Sequence, residues 1–389
     1  MEDIKRKFSW LAGPFTIAAV WYGIYIGPGF AGGAQLVSFF VGQSWLGVFI
    51  GPIVTISIAA IFCYFILEYA RIFQLYTFRE FYDGVYGKYK VVFANIKDFS
   101  AILACITISA LSFATGGRLI SELFHIPFLP CAFVTIFIIA ILILCGQKIV
   151  LKSSAAITIA LVLLIAYIGI QGVGSAWDGM TEYVSNRTMN DTYPHVILKI
   201  ILYINILVAF ADAAIPASKG VIKSRRDSAA TAIIGGTLVI LSTLMMNIMF
   251  AAGMPDVAKE NLPTVWSLTN IIGGGFKIHL LYTTIAYLAV ISTGVGYLYG
   301  MVERYQLLLG RGWKSSSANA RRIVLVIVIA LLGMYFGRMG IPDLVTNAYG
   351  LIGKINIPLF ELPFLVILPY QIHKFMKKKT SIDKIPASS

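Results

Sequence analysis

Apolar stretches separated by short polar segments divide the chain into ten. They lie near residues 8–41, 44–70, 95–120, 127–146, 151–173, 195–217, 228–252, 277–303, 322–337 and 340–373. A helix of about 20 residues crosses the roughly 30 Å hydrocarbon core of a bilayer, so the pattern predicts an all-α integral membrane protein. The last stretch opens on a polar, Gly-rich part, 340–356, which can form a helix of its own. In that case the count is eleven.

The first stretch is interrupted from within by Gly23-Ile-Tyr-Ile-Gly27-Pro-Gly29-Phe-Ala-Gly-Gly33-Ala-Gln35. In a bilayer, glycines and a proline break the helical ladder where no water replaces the lost bonds, so the freed groups must face protein, a cavity or a ligand. Broken helices near the midplane are where secondary transporters bind substrate and ions. Close helix packing also uses glycine, but five glycines and Pro28 between Gly23 and Gly33 exceed what packing needs.

Composition agrees with the spans: 58% of the residues are hydrophobic and 13% charged, with mean hydropathy +0.82. A soluble domain carries about 25% charged residues. Residues 1–7 are charged, and the apolar run behind them is too long for a cleavable signal, so the first span is expected to remain in the mature chain. The net charge of +13 acts through its distribution across the membrane and gives no reason to expect a nucleic-acid partner. With the N-terminus inside, all but seven of the 31 basic residues fall in inner segments, Lys5 to Lys7, Arg71, Lys97, Lys223, Arg225, Lys314 and Lys384 among them. The exceptions are Arg118, Arg187, Lys199, Lys259, Lys277, Arg338 and Lys354. Both termini are therefore expected in the cytoplasm and the chain in a cell membrane, most naturally a bacterial plasma membrane. The outer loops near 174–194 and 253–276 are the longest, and the second suits a cap over an outer vestibule. Cys63, Cys105, Cys131 and Cys145 lie in apolar runs without metal-ligand spacing.

Five spans in each half make the second half run upside down relative to the first, with repeats near 8–173 and 195–376. Span six is then the counterpart of span one. It holds Tyr203, Asn205, Phe210, Asp212 and Pro216, and Asn205 is compatible with either an intact helix or a break. In span eight, Ala289, Ser292 and Thr293 stand at i, i+3 and i+4, so a carbonyl and two hydroxyls share one helix face and can meet an oxygen-seeking cation. Ser109, Ser112, Thr115, Gly116 and Gly117 occupy the matching part of span three, where small residues also allow close helix approach. Tyr25 and Phe30 flank the first break, and Tyr203 and Phe210 flank the second; as gates or walls they would suit an apolar or cationic substrate. Ionisable groups inside a span are costly, which makes Asp212 and Glu361 candidates for proton coupling, with a structural ion pair or a carboxylate bonded to freed backbone as the alternative.

No phosphate-binding loop, HExxH or nucleophile elbow is present in the sequence, so an enzyme has little support. The motifs resemble the YkvI-like putative amino acid permease family, within the amino acid, polyamine and organocation superfamily. The resemblance rests on Gly27-Pro-Gly29-Phe-Ala-Gly-Gly33-Ala-Gln35, on Tyr203-Ile-Asn205, and on Ser292-Thr-Gly-Val-Gly running on to Arg304. It implies a LeuT-type five-plus-five inverted repeat with discontinuous helices one and six, moving a small amino acid or related zwitterion or amine by alternating access. It implies substrate contacts at Tyr25, Gly27, Gly29, Phe30, Gly33, Gln35, Tyr203, Asn205 and Phe210. In sodium-coupled members of this fold, the ion ligands correspond to the carbonyls of Gly23, Ile26 and Ala289 and the hydroxyls of Ser292 and Thr293. Proton-coupled relatives often place a lysine from span five in that pocket; here Lys152 stands at the inner end only, which favours sodium as the coupling ion. Gln35 replaces the family's glutamate, and Ile204 separates a tyrosine and asparagine that are adjacent in the family. Proton coupling, possible through Asp212 or Glu361, and a ligand sensor related to germinant receptor subunits are the alternatives; a pore lacks a repeated filter.

Overall fold

The structure is a computed structural model that describes residues 9–145, 148–312 and 317–382. Lys5, Arg6, Lys7, Lys314 and Lys384, and the side chains of Cys145 and Lys152, lie outside the described residues. Among the described residues ten helical segments run the length of the bundle. Span one consists of Ala12–Tyr25, Pro28–Gly32, Ala34–Leu36 and a π-helical turn, Val37–Val41. Spans two to five are Ile50–Phe73, Lys90–Phe124, Phe128–Cys145 and Lys148–Ser185. Span six is Tyr193–Ala213 followed by Ile215–Ser218. Spans seven to nine are Arg225–Ala252, Phe276–Gly312 and Ala318–Gly337. Span ten is one helix over 341–382 with π-helical turns at Leu344–Ala348 and Ile357–Glu361.

Three expectations are corrected. The Gly-rich 340–356 is the first part of span ten and not an eleventh crossing, because its helix continues through Pro358 by widening into a π turn. The expected outer loop from residue 174 is largely helix, since span five continues to Ser185. Span six is intact around Asn205 and interrupted at Ala214, where Pro216 removes a helical donor.

The break in span one has a local cause. Gly27 is extended, Pro28 takes the first position of the restarting helix, and Gly33 sits at φ 86°, a left-handed conformation that glycine adopts without strain. Beyond the π turn, side chains from elsewhere satisfy the exposed backbone: Tyr183 Oη donates to Val41 O at 2.7 Å and Asn247 Nδ2 to Gly47 O at 2.9 Å.

The helices pack in two groups. Spans one, two, six and seven contact one another, and spans three, four, eight and nine form the other group. Small residues set the closeness of the second: a Cβ on Gly117 would lie 2.8 Å from Ala132 Cα of span four, and one on Gly294 would lie 3.1 Å from Ser112 Oγ of span three. The small residues of span three therefore act here in packing.

One end of the bundle is basic. There Arg71 pairs with Glu68 at 2.6 Å and reaches Lys223 O at 3.5 Å. Arg225 Nε donates to Tyr64 Oη at 2.7 Å, and the Arg226 guanidinium lies 3.9 Å over the Trp10 ring. Among the described basic residues expected in inner loops, Lys97 differs from those at the basic end. It points into the protein from the second turn of span three, 4% exposed, and pairs with Asp212 at 3.4 Å.

Candidate functional site

A cavity of about 1250 Å³ lies between the two helix groups. Its walls come from the first piece of span one, from span six beyond Asn205, from spans three and eight, and from parts of spans five and ten. It reaches the surface at the basic end, beside the exposed Phe15, Thr16, Ala213, Pro216 and Ala217. The opposite end is closed. Helix Pro263–Asn270 packs there on the restarted helix of span one, Pro28–Gly32. A Cβ on Gly33 would sit 2.6 Å from Thr264 Oγ1, and one on Gly32 would sit 3.2 Å from Leu262. Tyr282 Oη donates to the carbonyl of Ala31, fixing span eight to the restarted helix.

The cavity brings together only part of the expected set. Gly23, Asn205, Phe210, Asp212, Ala289, Ser292 and Thr293 line it; Tyr25, Ile26, Gly27, Gly29, Phe30, Gly33, Gln35, Tyr203 and Glu361 do not. The space that glycine leaves at Gly29 is taken by the protein, since a Cβ there would lie 2.5 Å from Gln35 Oε1.

Four of the five ion-ligand candidates, Gly23, Ala289, Ser292 and Thr293, line the cavity from two helices. Span one ends its first piece at Tyr25, so its last carbonyls lack intrahelical partners. Gly23 belongs to that turn and lines the same cavity as Ala289, Ser292 and Thr293. Thr293 lies against the break: a Cβ on Gly27 would meet Thr293 Cγ2 at 3.2 Å and Oγ1 at 3.6 Å. The donors gathered here are neutral oxygens, a set that suits a hard cation of low charge.

Further polar groups face the cavity in span ten. Asn356 Nδ2 donates to Asn205 Oδ1 at 2.9 Å, and Asn356 Oδ1 is buried without a hydrogen-bond partner. Tyr22, Tyr297 and Tyr349 add aromatic wall. Tyr22 Oη lies 2.5 Å from Ser242 Oγ, and Trp21 Nε1 donates to Leu207 O at 3.1 Å, so the first piece of span one is tied to spans six and seven.

Behind the cavity, on its closed side, a directed hydrogen-bond chain uses the residues that the cavity does not reach. Thr243 Oγ1 donates to Val239 O at 2.6 Å; its single proton being used, it accepts from Tyr25 Oη at 2.6 Å. Tyr25 in turn accepts from Tyr203 Oη at 3.3 Å, and Tyr203 accepts from Gln35 Nε2 at 2.7 Å. The Tyr203 ring packs on Phe40 at 4.6 Å and Phe39 at 5.3 Å. This chain joins span one beyond its break to spans six and seven.

Lys97 and Asn356 were missed in the sequence. Lys97 had a visible signal: Lys97, Ser100, Ala101, Ala104 and Ile108 fall on one helical face, and all five line the cavity. Asn356 had none, because its partner is 151 residues away.

Comparison with solved structures shows the LeuT-type fold. Mhp1, a nucleobase-cation-symport-1 family transporter in a closed conformation with bromovinylhydantoin bound, matches with TM-score 0.63 at 16% identity, over 90% of this chain and 77% of that one. MhsT in complex with L-phenylalanine matches with TM-score 0.58 at 15% identity, over 92% and 97%. A manganese transporter of Eremococcus coleocola in complex with an aromatic bis-isothiourea substituted compound matches with TM-score 0.58 at 14% identity, over 92% and 78%. No family model matches the sequence, and no curated protein matches it. The chain is thus a multi-pass, all-helical protein with the LeuT-type fold.

Proposed function

We propose that this chain is a secondary transporter that moves a small amino acid, or a related zwitterion or amine, by alternating access coupled to sodium. The observation that carries the reading is the cavity between two helix groups, open at the basic end and sealed at the other. A cavity with one open end at a boundary between packed groups becomes a transport path when one group tilts against the other. With the basic end in the cytoplasm, as the positive-inside rule requires, the structure is the inward-open state and both termini are cytoplasmic.

The inverted repeats are assigned to about 8–173 and 195–376, each contributing one interrupted helix to the cavity. Asn205, Asn356 and Phe210 form the substrate side of the site. Gly23, Ala289, Ser292 and Thr293 form the ion side, with Ile26 joining them when the inner piece of span one closes. The fold neighbours that bind L-phenylalanine and a hydantoin support a small solute with both polar and apolar parts. YkvI-like amino acid permeases remain the family that the motifs favour.

A thermal-shift screen of small amino acids and amines, run with sodium and with choline, tests the assignment. Bound ligand stabilises by mass action, by about 2.7 kcal/mol at a hundred times its dissociation constant. The expected result is a melting temperature raised by one solute class in sodium and less in choline. Equal shifts in both salts contradict the ion site and make proton coupling the leading mechanism.

A further inference from the structure

We propose that Lys97, Asp212 and Glu361 form a single proton-binding site on the inner side of the transport cavity, in which Glu361 holds the proton while Lys97 pairs with Asp212. Its role in coupling rests on the transporter reading; its existence does not.

The three groups come from three helices that meet only in the folded chain. Lys97 belongs to span three, Asp212 stands one residue before the end of the long helix of span six, and Glu361 closes the second π turn of span ten. All are buried, at 4%, 3% and 3% exposed. Lys97 Nζ lies 3.4 Å from Asp212 Oδ2 and 5.0 Å from the ring centres of both Tyr82 and Phe360, the neighbour of Glu361. The Lys97 and Asp212 positions line the cavity, which opens at the basic end.

The hydrogen bonds decide where the proton sits. Asp212 Oδ1 is buried without a hydrogen-bond partner, but Oδ2 accepts from Tyr82 Oη at 2.5 Å and faces the Lys97 ammonium, two donors that hold a carboxylate. Both oxygens of Glu361 are buried with no hydrogen-bond partner. An unpaired ionised carboxylate in such a place is far more costly than the neutral acid. The bond to freed backbone expected as one alternative for Glu361 does not form. With one cation and two acids in an apolar wall, one proton brings the cluster to zero charge.

The other titratable groups around it are tyrosines and a cysteine. Tyr82 and Tyr86 approach from the short helix Phe78–Tyr86, Cys63 from span two and Tyr297 from span eight, and each interacts with Asp212. Lys97 reaches the neighbourhood of Glu361 through the adjacent Phe360, whose ring centre lies 5.0 Å from Lys97 Nζ. Asp212 stands two residues before the interruption at Ala214, where span six can bend, so a bend there changes its separation from Lys97. When that movement takes Asp212 from Lys97, the ammonium is left to Glu361. The Glu361 O–H bond then breaks and its proton passes to Lys97 as Lys97, which faces the cavity, gives up one of its own protons to water there, so that the new carboxylate pairs with an unchanged Lys97 ammonium. Return of Asp212 reverses the transfer.

Infrared spectroscopy of the full-length protein in lipid, with no solute added, reads this site through the C=O stretch of a protonated carboxyl. Wild type at neutral pH is expected to show an acid band that disappears in Glu361→Gln, a variant that keeps the shape and charge of the neutral acid. Asp212→Asn is expected to lose the same band, because the released Lys97 then holds Glu361 ionised. A wild-type spectrum without the band, or one unchanged in Glu361→Gln, overturns the proposal. Persistence of the Glu361 band in Asp212→Asn overturns the sharing of one proton by the three groups. None of these results depends on transport, so failure of the transporter reading leaves them distinguishable.

Discussion

Replacing Ser292 and Thr293 together by alanine is expected to remove the proposed sodium stimulation of ligand binding and uptake while the protein stays folded. Both side chains are half-buried on the cavity wall, and Thr293 lies against Gly27 at the break in span one. An alanine at either position keeps the helix and removes one oxygen. By analogy with hydrogen bonds to charged groups, each contact contributes about 1.5–3 kcal/mol. Loss of two therefore weakens apparent sodium affinity roughly a hundredfold or more. Thr293→Ser retains the oxygen and is expected to keep sodium stimulation, which separates loss of an ion ligand from loss of packing. Sodium titrations of solute binding in the three proteins check this. Identical curves for wild type and the double variant would remove these hydroxyls from the ion site.

Gln35→Glu lowers stability by about 1–3 kcal/mol at neutral pH, the usual cost of leaving buried hydrogen-bonding groups unmatched. The chain from Gln35 through Tyr203, Tyr25 and Thr243 to Val239 has one direction, because Thr243 spends its only proton on the backbone. Its first member must donate. An amide does so at every pH, whereas an ionised carboxylate only accepts and leaves the Tyr203 proton claimed by two acceptors. This gives a physical reason for glutamine and against glutamate at position 35. A protonated glutamic acid can donate, so the deficit of Gln35→Glu is expected to shrink as pH falls. Gln35→Leu has no donor in any state, and its deficit is expected to be independent of pH. Thermal unfolding of the three proteins over a pH series reads both trends; parallel curves for the two variants would show that the direction of the chain is immaterial.

The sequence made some parts of this molecule legible for local reasons. Gly27, Pro28 and Gly33 dictate a break through their own backbone chemistry, and the structure breaks there. The face of Ala289, Ser292 and Thr293 follows from helical spacing, and the cavity meets it. What stayed hidden depends on partners far along the chain. Asn205 looked like a possible helix break; Asn356, 151 residues on, bonds it within an intact helix, and the interruption follows Pro216 instead. Lys97 counted as an inner-loop charge because its ion partner stands in another helix. Tyr25, Tyr203 and Gln35, expected as substrate contacts, bond to one another behind the cavity wall, in a place set by Thr243 and Phe40, residues with no marking of their own.

Solute flux through the purified protein in liposomes tests the central claim most directly. Labelled amino acids and amines are presented to vesicles with an imposed inward sodium gradient, and internal label is followed with and without dissipation of that gradient. The account predicts accumulation of one solute class above its external concentration, collapsing when the gradient is dissipated. Saturable binding of a solute without any movement of label into the vesicle lumen would contradict it.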